Sequence, residues 1–286
     1  MKVLLALAVL TTSAVTFAAE SREIQDIMYL PNAGTTYGFS TGEYISQKQT
    51  GKGNNPDSST KGYGLSQTLG HSITDRLSLQ ASLGYLSTQT NPEGSPRTDQ
   101  KGISDPTVQA RFRTVDESFR WDIIGGATIG TGDREQDRSG NFNNLQGGSN
   151  LFVGTQIGGK SVDFQWAILG QVQRNMKATT KVSGGPTVKD DEYNSLLIRA
   201  DILNRLAERS FLRTFAAGNF AEDHDNNFNQ ATASNTRYTV GTEYQHKLSE
   251  DLMLRAGVDY NTINKQTAQI DTNNDWRFRF GANYQF

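Results

Sequence analysis

The sequence predicts an all-β fold, a transmembrane antiparallel up-and-down β-barrel of about 12 strands, and three observations carry that expectation. First, the last eleven residues alternate strictly: Trp276, Phe278, Phe280, Ala282, Tyr284 and Phe286 on one side, Arg277, Arg279, Gly281, Asn283 and Gln285 on the other. Successive side chains of a strand point to opposite faces, so this strand has one apolar face and one charged, polar face, and it ends on an aromatic residue. Second, the start of the chain is built like an export signal. Lys2 supplies a positive n-region, Val3 to Leu10 an apolar h-region, and Thr16-Phe17-Ala18 or Phe17-Ala18-Ala19 a small-residue cleavage site; the stretch is too short and wrongly flanked for a membrane helix. Third, a mean hydropathy of −0.58 with 28 glycines and 6 prolines suits a barrel, in which only alternate residues meet lipid.

The domain reading is a signal peptide over residues 1–19, a periplasmic N-terminal lead-in over 20–34 and an outer-membrane barrel over 35–286. Beyond the signal there is no run of about 18 apolar residues, which excludes a helical inner-membrane protein. Without Lys2 the chain has 27 basic and 30 acidic residues, a formal charge of −3 that argues against a nucleic-acid partner. The absence of cysteine excludes disulfides, thiolate chemistry, cysteine-ligated zinc and a lipidated N-terminal cysteine. Within Glu20 to Asn32, Ile24, Ile27 and Met28 have helical spacing and Pro31 would end such a helix. The segment reads as a tethered lead-in to the first strand, with a short periplasmic or lumen-entering plug as the alternative.

Walking back from the C-terminus, Leu252, Leu254, Ala256, Val258 and Tyr260 alternate with Met253, Arg255, Gly257, Asp259 and Asn261. Before them Tyr238, Val240, Thr242, Tyr244 and His246 alternate with Arg237, Thr239, Gly241, Glu243, Gln245 and Lys247. Further upstream Val162 to Gln173 and Val108 to Arg113 alternate as clearly, while Asn194 to Ile202 and Phe211 to Phe220 carry apolar residues on both parities. Short turns are expected at Thr74 to Arg76, Asp116 to Ser118, Gly158 to Lys160, Asn204 to Glu208 and Leu248 to Asp251. Long polar loops are expected at Gly51 to Ser59, Thr90 to Lys101, Thr131 to Gly148, Thr179 to Asp191, Ala221 to Ser234 and Asn261 to Asp275. Five short and six long connections make twelve strands and leave both termini in the periplasm. That direction places Trp121, Tyr244, Tyr284 and Phe286 in an inner interfacial belt and Tyr238, Tyr260 and Trp276 in an outer one.

The inward parity supplies Arg111, Arg113, Arg199, Arg213, Arg237, Arg255, Arg277, Arg279 and Lys247, against Asp122, Asp163, Asp201, Glu243 and Asp259. Two readings follow. Guanidinium groups engage carboxylates and phosphates through two bonds at once, so the lumen is a candidate pathway for anionic solutes. Alternatively these charges pair across strands and fill a polar interior.

Residues 102–113, Gly-Ile-Ser-Asp-Pro-Thr-Val-Gln-Ala-Arg-Phe-Arg, resemble the Gly-x-Gly-Asp-x-x-(apolar)-x-x-Lys-Tyr-Arg opening of a strand in the outer-membrane family named for the MetA pathway of phenol degradation. Gly130-Thr131-Gly132-Asp133 and the return strand opened by Gly147-Gly148-Ser149-Asn150-Leu151 are similar to that family's order of motifs. Ser104 stands where the family has glycine, and Arg111-Phe112 replaces Lys-Tyr. The resemblance covers about Gly102 to Gly159 and the barrel-type C-terminus. It implies an outer-membrane channel or transporter for small organic compounds, aromatic ones among them.

Three further features bear on chemistry. Asp133, Glu135, Asp137 and Ser139 alternate like the start of an EF-hand loop, but Arg138 replaces the required glycine and Asn144 the required glutamate, so no metal is expected. The loop acids Asp223, Asp225, Asp271 and Asp275 could meet divalent ions among lipopolysaccharide headgroups. His71 and His246 share parity with lipid-facing residues near the inner rim, the opposite end from the serine–histidine site of the twelve-stranded outer-membrane phospholipases, and His224 lies in a long loop. No catalytic residue and no cofactor are assigned. The expected partners are outer-membrane lipid and lipopolysaccharide, the barrel-assembly machinery through the C-terminal strand, and a small solute. A lipase-type or protease-type barrel and an adhesive barrel acting through its loops remain as other functions.

Overall fold

The computed structural model describes residues 23–51, 56–117, 119–228, 231–232, 235–264 and 270–286; the export signal expected over 1–19 lies outside them. The strands in chain order are β1 (Thr36–Gly51), β2 (Ser58–Ser72), β3 (Leu77–Pro92), β4 (Thr98–Ile103), β5 (Thr107–Asp116), β6 (Phe119–Thr128), β7 (Arg134–Gln136), β8 (Asn150–Lys160) and β9 (Phe164–Asn175). They continue with β10 (Ala178–Val182), β11 (Val188–Asp190), β12 (Tyr193–Ala207), β13 (Ser210–Ala221), β14 (His224–Asp225), β15 (Ala231–Thr232), β16 (Asn235–Lys247), β17 (Leu252–Asn264) and β18 (Ile270–Gln285).

Thirteen of these strands form one sheet that closes on itself: β1 pairs antiparallel with both β2 and β18, and β2 with β3. β4 and β5 lie end to end along β3, on residues 85–90 and 77–82 respectively, so together they make one interrupted wall strand. The result is a twelve-stranded antiparallel barrel, as the punctuation of short and long connections predicts. Closure removes every sheet edge, which is what lets a β structure cross hydrocarbon with all backbone groups paired. The outward parity is apolar and open to the surroundings: Val153 is 60% and Phe280 68% exposed, figures that suit lipid rather than water.

Several boundaries differ from the expectation for one physical reason. About 9–11 residues suffice to cross the hydrocarbon core, yet β1, β3 and β18 each have 16. The regions expected as loops at Thr90 to Lys101 and Asn261 to Asp275 are largely ladder: β3 runs to Pro92, β4 starts at Thr98, and β17 and β18 extend to Asn264 and back to Ile270. Beyond the apolar band a hairpin needs no greasy face, so alternation fades while pairing continues, helped by polar cross-strand bonds such as Thr60–Thr90 at 2.8 Å and Gln47–Asn273 at 2.6 Å. At the other rim, β8 runs through the glycines expected as a turn and reaches Lys160, and β12 continues to Ala207. Asp163, expected inside, therefore sits in the turn ahead of β9.

At the long-loop end, β10 pairs parallel with β7 and antiparallel with β11, forming a small sheet from two connections. At the short-turn end the barrel contains the most buried apolar cluster of the described residues, Ile24, Tyr29, Tyr37 and Met253 with Phe39 against it. Two members come from the segment that precedes β1.

Candidate functional site

The lead-in takes the lumen-entering form over residues 23–30. Ile24, Met28, Tyr29 and Leu30 are buried. The helical spacing of Ile24, Ile27 and Met28 does not give a helix; the segment makes two turns, with Asp26 N bonded to Glu23 O and Tyr29 N to Asp26 O. Its order comes from the wall. Ile27 N donates to Gln165 Oε1 at 3.1 Å, the Tyr29 hydroxyl donates to Gln285, and the carbonyls of Met28 and Tyr29 accept from Arg113 and Arg111. The carboxylate of Asp26 meets Lys160 Nζ at 2.9 Å and Arg120 at 3.2 Å, and Glu23 meets Lys160 at 3.0 Å. Gly158 makes room: a Cβ there would lie 2.6 Å from the Met28 sulfur.

Arg111 and Arg113 face inward as their parity requires, but as staples. Asp122, fully buried, accepts from Arg111 Nε at 2.6 Å and Arg113 Nε at 2.8 Å, and Arg113 also reaches Asp116 at 3.1 Å. A carboxylate bound by two guanidiniums that also grip a buried backbone is a closed network.

Further along the axis the other arginines form a wall on β12 to β18. Arg199 and Arg213 both bind Asp201 Oδ1, at 2.9 and 2.8 Å. The Phe215 ring lies 4.2 Å from the Arg199 guanidinium carbon and 5.3 Å from that of Arg279, both within cation–π reach. Gly241 is what lets this ring fit, since a Cβ there would lie 2.5 Å from it. Arg255 reaches Glu243 at 3.5 Å and donates to Thr41 Oγ1 at 2.7 Å. Arg279 sits 2.8 Å from Asp259, and Arg277 lies 3.3 Å from Asp275 and 4.0 Å from Glu43. Arg237 stands opposite Asn219 of β13, and Lys247, buried, meets Glu250 at 2.8 Å and Glu23 at 3.9 Å. Across the lumen, β2 and β3 offer uncharged groups, with Thr68 bonded to Ser82 at 2.8 Å and Gln80 to the Tyr37 hydroxyl at 2.9 Å.

Between the N-terminal segment and this wall lies a chamber of about 330 Å³, lined among others by Tyr29, Phe39, Gln80, Arg213, Gln245 and Arg255. Sequence reasoning missed four acids that shape the lumen. Glu43 lies on β1, whose alternation is weak, and Glu23 and Asp26 lie in the irregular segment. Asp275, expected in a loop as a contact for divalent ions, is buried on β18 and bonded to Asn261.

Asp105, in the stretch that carries the family resemblance, is 4% exposed and accepts from Thr131 N at 2.8 Å, Thr131 Oγ1 at 2.7 Å and Gln146 N at 2.8 Å. It pins the connection after β6 to the break between β4 and β5. In that connection Asp133 pairs with Lys181 at 2.6 Å. Asp137, bonded to the Asn141 side chain, is held below the usual carboxylate range, chiefly by that bond. Trp121, Tyr238, Tyr244, Trp276 and Phe286 are exposed on the outward face. Tyr260 lies 4.9 Å from Trp276, and Tyr284 stacks on Phe286. His246 Nδ1 is 3.1 Å from Ser210 Oγ, which also meets the Tyr244 hydroxyl; His71 meets Thr36; and His224 stacks on Tyr193. A serine–histidine contact is one part of a hydrolase site, which also requires a third group to orient the histidine and donors for an oxyanion.

The closed twelve-stranded wall, the apolar outside and the polar lumen define an outer-membrane β-barrel. Its likeness to known proteins is one of shape alone: no protein-family model matches the chain, and no curated protein sequence does. Among solved structures it is similar to an outer membrane channel from Pseudomonas putida F1, with a TM-score of 0.69 and 13% identity over 92% of this chain and 98% of that one. It is also similar to the translocator domain of the autotransporter NalP from Neisseria meningitidis, with a TM-score of 0.52 and 12% identity over 89% of this chain and 90% of that one. At such identities the likeness shows a shared fold.

Proposed function

We propose that this protein is an outer-membrane channel that passes small solutes, anionic organic compounds foremost, with residues 23–30 restricting the short-turn end. The observation that carries this reading is the sharing of one carboxylate, Asp201, by Arg199 and Arg213, which leaves guanidinium charge on the wall that is not matched one for one. Rings of fixed charge select ions of the opposite sign. The shape shared with an outer membrane channel supports transport over catalysis. The family resemblance of residues 102–159 points toward small aromatic compounds as cargo. In this reading the termini and short turns face the periplasm, the two aromatic sets sit at the membrane interfaces beside lipid and lipopolysaccharide, and the C-terminal strand meets the barrel-assembly machinery. Conductance in planar bilayers under a salt gradient tests it: an anion-selective reversal potential is expected, and cation selectivity or the absence of conductance would overturn it. Liposome swelling with organic acids of increasing size then ranks the solutes.

A further inference from the structure

The outward face of the barrel is not uniform around its girth. At the long-loop end Lys48 of β1, Lys61 of β2 and Lys101 of β4 are exposed, and each shares strand parity with an exposed outward residue, Tyr44, Tyr63 and Ile103 respectively. None of the three has an ion-pair partner among the described residues. By contrast Arg97, Arg174, Lys177 and Lys181, at the same end, each hold a carboxylate within 3.4 Å. The unpaired lysines lie on one level. Because barrel strands tilt, a level line steps toward the short-turn end from strand to strand. The outer aromatic row does so, since Tyr238 faces Thr262 while Tyr260 faces Trp276. Lys48 faces Ser59, short of Lys61, and Lys61 faces Gln89, short of Ser87, the partner of Lys101. Both series step the same way, so the lysines form an arc above the facing tyrosines Tyr44 and Tyr63. Below it, still on the outward face, a groove of about 690 Å³ runs between Leu65, Leu83, Tyr85 and Ile103 on one side and Leu254 and Phe280 on the other. Its floor is bare, because Ser40, Gly42 and Ala282 stand where other strands carry large apolar side chains.

From this we infer that the outward face of β1 to β4 is a binding site for one molecule of lipopolysaccharide, held through its lipid A. The phosphates of the lipid meet Lys48, Lys61 and Lys101 directly, and an acyl chain fills the groove below them. A void on the lipid face forfeits dispersion contacts until a tail occupies it. Clusters of unpaired cations at a membrane surface recognise anionic headgroups, and lysine stems can lie along apolar surface while their ammonium groups reach the phosphates. A groove alone would accept any tail; the arc above it is what selects a phosphorylated, many-tailed lipid. The inference rests on the reading that the long loops face the cell exterior. It narrows a general contact with lipid to one molecule at one place, bound by lysines rather than through divalent ions on the loop acids.

The test is native mass spectrometry of the full barrel in detergent, titrated with lipid A, monophosphorylated lipid A and phosphatidylglycerol in the presence of a chelator, beside bilayer conductance of the same preparation. The expected result is a single saturable lipid A adduct, with the other two lipids weaker by about fivefold or more, the weight of about one lysine at an anionic surface. Lys48→Gln, Lys61→Gln and Lys101→Gln together should weaken lipid A by about a hundredfold on the same scale. Lys181→Gln, whose cation is already paired, should leave it unchanged. Gly42→Leu places a side chain in the groove, where a Cβ meets only Leu65 at 3.5 Å and the Phe280 carbonyl oxygen at 3.9 Å, and should lower the fraction of barrel carrying lipid A with every lysine intact. If the triple variant fails to fold, judged by its heat-modifiable gel shift, Lys61→Gln alone takes its place, with a loss of about fivefold expected. Equal affinity for phosphatidylglycerol, or binding that needs magnesium, would overturn the lysine contacts. Barrel dimers in place of lipid adducts would give the groove to a second copy and overturn the site. A conducting barrel that does not select lipid A would overturn the site and leave the channel reading standing. Selective lipid A binding by a barrel that does not conduct would do the reverse.

Discussion

The two ends of the arginine-bearing lumen use one residue type for opposite purposes. At the short-turn end Arg111 and Arg113 are buried and bonded twice over, to the fully buried Asp122 and to the backbone of residues 28 and 29. On the wall above, Arg199 and Arg213 keep about a quarter of their side-chain surface open, 27% and 23%, and lean on a single carboxylate. Taking a guanidinium out of water is favourable only when every donor finds a partner, so the first pair is committed to structure. The second pair keeps donors and charge available to whatever enters. Counting arginines on one parity of a strand cannot separate these cases; the partners can.

The strongest way to break this contrast is to remove the carboxylate that defines the stapled end. Asp122→Ala leaves two buried guanidiniums without their anion, and loss of one partner of a buried pair costs about 3–5 kcal/mol. The urea midpoint of the micelle-refolded barrel should fall accordingly; a midpoint within error of the parent would mean that the staple is dispensable. Next in size is the tether of the N-terminal segment. Lys160→Met removes one of two cations holding Asp26, a loss of about 1.5–3 kcal/mol for a bond to a charged group. The expected readouts are faster hydrogen exchange over residues 23–30 and a higher single-channel conductance, and unchanged values for both would detach the segment from the gating of the pore.

A smaller effect is expected on the open wall. Arg213→Gln should lower the anion-over-cation permeability ratio by no more than about tenfold, about 1.4 kcal/mol in relative barrier height, with the urea midpoint nearly unmoved. If it destabilises the barrel as much as the Asp122 change, the two ends do not differ in kind. The least effect belongs to the exposed loop. The Asn141 side chain holds Asp137 below the usual carboxylate range, so its contribution is present above the ordinary aspartate value and is lost as pH falls through the depressed one. The protection factors of the Ser139 and Asn141 amides, whose backbone N–H groups donate to Asp137, taken against the intrinsic exchange rate at each pH, should fall only at acid pH, and a fall near neutrality would contradict that assignment.

Legibility followed the membrane. Where hydrocarbon forces every second residue to be apolar, as in β17 and β18, the shared inward parity of Arg255, Asp259, Arg277 and Arg279 is readable without coordinates. Where the constraint ends, the pattern ends as well, and Asp275 reads as loop although it lies buried in a ladder. Glu43 escaped because β1 mixes Ser, Thr, Gly and Gln on both faces. The closing of the lumen by residues 23–30 left only Ile24, Ile27 and Met28 as a trace, and their spacing suggested a helix that does not form.

By itself the sequence determined that the chain is a closed barrel, how many strands it has and which face of most strands is wet, because a bilayer outside and a polar lumen inside impose a two-residue period on strand after strand. The tertiary structure alone decided which arginine meets which acid, where the N-terminal segment goes and that a chamber lies beside it. Those outcomes depend on contacts between residues as much as 256 positions apart, such as Tyr29 with Gln285, and on the inward face of the barrel no repeating solvent constraint writes such contacts into local pattern.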